Sequence, residues 1–97
     1  MNRLIIIHPN GGVLVRKQDT EPSFEAMKIH AQMRADVTLE HVNLRYEDRR
    51  SHIFINEDGR IEGLPLNRHA SIVLAGYNNG RDFDFVGPVI IWTGDVA

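Results

Sequence analysis

His41-Val42-Asn43-Leu44-Arg45-Tyr46, then Glu47-Asp48-Arg49-Arg50-Ser51, then His52-Ile53-Phe54-Ile55-Asn56 is the stretch that decides the fold. Val42, Leu44 and Tyr46 alternate with polar residues, and so do Ile53 and Ile55 with His52 and Asn56; a period of two marks strands with one buried face. A four-residue loop over Glu47–Arg50 sets Leu44 opposite Ile53 and Val42 opposite Ile55, so both strands bury aliphatics on one side. Downstream, Asn56-Glu57-Asp58-Gly59-Arg60 reads as a three-residue loop with Gly59 left-handed, which places Ile55 opposite Ile61 in a third strand. A two-residue Asp-Gly turn would pair Ile55 with Glu62 instead. The expected buried face is therefore Val42, Leu44, Ile53, Ile55 and Ile61. The expected open face is Arg45, His52, Phe54, Asn56, Arg60 and Glu62.

Working outward, Leu4–Ile7 is an unbroken apolar run that suits a strand covered on both faces. Asn10-Gly11 is a hairpin signal, and Val13–Val15 returns as a second strand. Thr20-Glu21-Pro22 reads as a helix start, and Phe24, Met27, Ala31 and Ala35 repeat at helical spacing through about Arg34. Asn67 is a good N-cap for a second helix carrying Leu66, Ala70, Val73, Leu74 and Tyr77 in one stripe, closed by Gly76 and Asn78-Asn79-Gly80. A last strand spans Asp82–Trp92, interrupted at Gly87-Pro88, where proline forces a bulge, an edge or a boundary. The order ββαβββαβ predicts an α+β domain: a mainly antiparallel sheet with two helices on one face.

The chain has 97 residues and is 42% hydrophobic, with 11 basic and 13 acidic residues and a formal charge of −2. It reads as a single domain, 1–97. That balance argues against both an acidic nucleic-acid mimic and a domain held to nucleic acid by bulk charge. Cysteine is absent, which excludes disulfides, thiolate metal sites and a Cys nucleophile. No run is long and apolar enough to span a membrane, and Met1–Ile7 lacks the pattern of a signal peptide, so the expected setting is cytoplasmic.

The run Asn56-Glu57-Asp58-Gly59-Arg60, then Gly63-Leu64-Pro65-Leu66-Asn67-Arg68 with Ala70, and Val86-Gly87-Pro88-Val89-Ile90-Ile91 carry a resemblance. Over residues 52–92 the chain resembles a family of small phage- and plasmid-encoded bacterial proteins of unassigned function, with an "NEDG" turn followed by a "GLPxNRxA" block. Pro88 departs from that pattern, in which an acidic residue commonly follows the glycine. The resemblance implies a mobile-element accessory protein in a bacterial cytosol and brings no catalytic residues with it.

No catalytic constellation emerges from the residues. In the register above His52 faces Arg45 and His41 faces Asn56, so about 13–14 Å of strand separates the two imidazoles, too far to share a metal. His30 and His69 lack a ligand one helical turn away. Glu57-Asp58 belongs to a turn, and Asp82 and Asp84 alternate with Phe83 and Phe85 as on a half-exposed strand. No metal or cofactor is expected. The arginines around the hairpin, with Phe54 among them, make a mixed aromatic and cationic face of the kind found at protein interfaces. The leading expectation is a non-catalytic protein-binding module that uses Arg45, His52, Phe54, Asn56, Arg60 and Arg68 to meet a host protein or a second copy, a homodimer included. The alternative is a single-stranded nucleic-acid-binding domain on the same face. A small enzyme dependent on His52 or His69 is the third reading.

Overall fold

Leu4 and Ile6 of the first strand point to one side of a sheet and Ile5 and Ile7 to the other, and none is more than 4% exposed. The computed structural model describes residues 2–95. Along it run β1 (Arg3–Ile7), β2 (Val13–Lys17), α1 (Phe24–His30), β3 (Leu39–Tyr46), β4 (Arg49–Asn56), α2 (Arg68–Tyr77) and β5 (Val89–Trp92). The strands form one five-stranded sheet in the order β2-β1-β5-β4-β3, and every neighbouring pair is antiparallel. The domain is α+β.

The helices lie on opposite faces of this sheet, which corrects the expectation of two helices on one face. Ala70 and Leu74 of α2 pack with Ile5, Ile7, Leu44, Ile53, Val89 and Ile91. Met27 of α1 and its C-cap Ala31 pack with Leu4, Ile6, Phe54, Ile90 and Trp92 on the other side. The cause lies in β1 and β5. Leu4–Ile7 and Val89–Trp92 are apolar at successive positions, so each strand presents hydrocarbon to both sides, and both sides need a cover.

The hairpin register is offset by two residues from the expected one. Val42 pairs with Ile53, Leu44 with Ser51, and Tyr46 with Arg49, so the turn is only Glu47-Asp48. Glu47 takes a φ of +56, which a two-residue turn of this hand requires at its first position. Arg3 helps to hold that turn: its guanidinium pairs with the Glu47 carboxylate and lies 5.8 Å from the centre of the Tyr46 ring. A slip of two keeps every side chain on its face, so Val42, Leu44, Ile53 and Ile55 do share the α2 side.

The third strand of the meander is absent. Asn56–Leu64 winds into successive turns, with Glu62 N donating to Asp58 O and Leu64 N to Gly59 O. Gly59 has no positive φ, and Ile61 is 87% exposed instead of buried. The place beside β4 is taken by β5. The observed order is ββαββαβ. Helix α1 is shorter than expected and capped by Ser23, whose Oγ accepts from Ala26 N. The last strand begins only after Pro88, so Gly87-Pro88 is a strand boundary.

Asn67 ties the start of α2 to the end of β1 and the entry to β5. It is fully buried; its Oδ1 caps α2 at Ala70 N, while Nδ2 donates to Ile7 O at 2.8 Å and Gly87 O at 2.9 Å.

Candidate binding face of the central hairpin

The six residues expected to do the binding are distributed over the molecule. Arg45 and His52 do project from the side of the hairpin that faces away from α2. Phe54 shares that side but is 1% exposed, because α1 reaches over β4 and sets Phe24 against it at 5.6 Å between ring centres. Phe54 is a core residue, which corrects its expected exposure. Asn56 is buried too: its Nδ2 donates to Glu62 Oε1 and its Oδ1 accepts from Asp58 N, which makes it the anchor of the following turn. That hydrogen bond, with the nearby Arg34 guanidinium, holds the Glu62 carboxyl below the usual carboxylate range. Arg60 lies on the other side, bridged to Asp84 at 2.6 Å. Arg68 is exposed at the start of α2, away from the hairpin.

Helix α1 stops short of the outermost strand. His41, Asn43 and Arg45 of β3 and Arg50 of β4 are exposed on this side, and His52 is half-buried among them. Sequence reasoning placed Arg50 in the loop. The two-residue turn instead keeps it in the strand, directly opposite Arg45. Two like charges in a cross-strand pair repel. Neither forms an ion pair with a carboxylate among the described residues, and the only hydrogen bond from the Arg45 guanidinium goes to the carbonyl of Asp48.

The same offset brings His41 and His52 together. They sit diagonally across the hairpin, with His41 Nε2 2.9 Å from His52 Nδ1, which corrects the separation inferred from the sequence. The His41 ring stacks on Phe54 at 4.8 Å. Partial burial, and then the neighbouring His41, push the His52 pKa below the ordinary imidazole value, while Glu21 and Asp95 act in the opposite sense.

Strand β3 is an edge of the sheet, and it is guarded at one point. Asn78, at the end of α2, accepts from Arg45 N and donates to Arg45 O, both at 3.0 Å. Arg45 therefore belongs to the set of β3 residues whose backbone groups face away from β4. By alternation His41 and Asn43 belong to it as well.

On the α2 side, a hollow of ≈ 400 Å³ opens between the hairpin and residues 81–86. Val42, Leu44 and Ile55 contribute to its lining, with Phe83 and Phe85 stacked at 5.1 Å and the Arg60–Asp84 pair at its margin. Two smaller hollows flank α2 and the Asn56–Leu64 turn. Neither His52 nor His69 lines any of the three, so none of them offers the histidine–carboxylate cleft that the enzymatic reading requires. No described helix is long and apolar enough to cross a membrane. No family model matches the chain, and no curated protein or solved structure matches it.

Proposed function

We propose that this domain is a non-catalytic binding module and that the uncovered hairpin face takes a single nucleic-acid strand. The observation that carries the reading is the Arg45–Arg50 cross-strand pair, two cations set face to face with no carboxylate between them. An external phosphate relieves that repulsion, and the guanidinium fork suits phosphate oxygens. His41, exposed and already stacked on Phe54, offers its outer ring face to a base. The test is fluorescence anisotropy of a labelled single-stranded oligonucleotide across a salt series. Two phosphate contacts give a log–log salt slope of about −1.4. Arg50→Glu turns a repulsive cross-strand pair into an attractive one; it should raise stability by about 0.2–1 kcal/mol while abolishing binding. A wild-type protein that leaves the oligonucleotide free at low salt sinks the proposal.

The open edge of β3 favours a second reading, in which an extended protein segment adds to the sheet beside His41 and Asn43. Asn43→Pro removes an outward N–H without touching the bonds to β4, a substitution edge strands accept. Under this reading a panel of extended peptides includes binders that are insensitive to salt and are lost on Asn43→Pro. Binding that survives the substitution discards it.

A further inference from the structure

The structure assigns a second capability to this face, independent of what the arginines bind: His41 and His52 form a two-imidazole site for a divalent transition ion, Cu(II), Ni(II) or Zn(II). The geometry carries it. Metal–nitrogen bonds of about 2.0–2.1 Å separate two coordinated nitrogens by about 2.9 Å at a right angle and about 3.3 Å at the tetrahedral angle. His41 Nε2 and His52 Nδ1 stand 2.9 Å apart. In the free protein one ring donates an N–H to the other; in the loaded protein the metal takes that place, and the donor ring stays neutral by carrying its proton on its other nitrogen, exchanged through solvent. His41 is exposed, so its ring can turn to let the two lone pairs converge, and the paired backbone of β3 and β4 holds both side chains at chelating distance. Imidazole pairs select these ions over magnesium and calcium, which prefer oxygen ligands. No group of three or more ligating side chains is formed among the described residues, so the remaining positions on the metal are open to water or an added anion.

The protein carries its own reporter. Trp92 is the one tryptophan in the sequence, and it pairs with His52 across β4 and β5. Titration of the intact chain with Cu(II) should quench Trp92 fluorescence with a stoichiometry of one, and calorimetry with Zn(II) should give the same stoichiometry. Affinity should fall as pH is lowered from neutral to about 5, where imidazoles protonate. His41→Ala, on the surface, should weaken binding at least tenfold with the circular dichroism unchanged. His52→Gln should do the same, and His30→Ala should leave affinity as it was. Unchanged affinity in His41→Ala, or no metal-dependent quenching in the wild type up to millimolar Cu(II), overturns the assignment.

Discussion

Asn67→Ala should lower the stability of the domain by about 3–5 kcal/mol, since three separate losses combine at one buried side chain. The first is the cap: the Ala70 N–H at the start of α2 loses its acceptor. The other two are the carbonyls of Ile7 and Gly87, each of which receives a hydrogen bond from Asn67 Nδ2 in a place water does not reach. An N-cap contributes about 1 kcal/mol, the Gly87 carbonyl left unpaired costs about 1–3 kcal/mol, and the lost bond to the Ile7 carbonyl, which also lies in the β1–β5 ladder, costs about 0.5–1.5 kcal/mol. The melting temperature should drop by roughly 15–30 °C for a chain of this size, which thermal and urea denaturation will both report. Asn67→Asp separates the contributions. It keeps the cap but removes both donations and turns a carboxylate toward two carbonyls, so it should rescue nothing. A loss under about 1 kcal/mol for Asn67→Ala would mean that the helix cap is the only interaction that counts there.

Phe54→Ala should cost a similar amount, about 3–5 kcal/mol, as expected for emptying a phenyl-sized space in a packed core. The ring is 1% exposed and touches both the α1 side, through Phe24, and the uncovered strand, through His41. Phe54→Leu keeps most of the volume and should cost less than half as much. Arg45→Ala, on the same side of the hairpin, should stay within about 0.5 kcal/mol of the wild type. Urea denaturation of the three variants distinguishes a core residue from a docking residue. If Phe54→Ala is as stable as Arg45→Ala, α1 does not cover β4 in solution.

Much of the fold could be read from periodicity, and the failures have specific causes. The unbroken apolar run in β1 signalled cover on both faces, and Asn67 signalled its helix. The register of the hairpin was hidden because Glu47-Asp48 has neither the glycine nor the asparagine that normally announces a two-residue turn. Glu47 adopts its left-handed conformation with Arg3 as a partner, 44 residues away in sequence, and no local pattern reveals that. Ile61 failed for the opposite reason: Asp58-Gly59 looks like a hairpin turn, but the neighbouring position in the sheet goes to β5 from the far end of the chain. The candidate face suffered from the same two errors. Alternation correctly put Arg45 and His52 outside the α2 layer, yet which helix covers Phe54 is a tertiary matter. A shift of two residues preserves faces but changes neighbours, and only neighbours reveal that Arg45 meets Arg50 and that His41 meets His52.

Asn78 has a wider consequence. Its carboxamide occupies the outward N–H and C=O of Arg45 as a neighbouring strand's peptide group would, and it also donates to Leu74 O in its own helix. A foreign chain laid along this border can run past His41 and Asn43 but has to peel away at Arg45. The helix thus sets a terminus for sheet growth on this flank, a guard against runaway stacking of one molecule on the next.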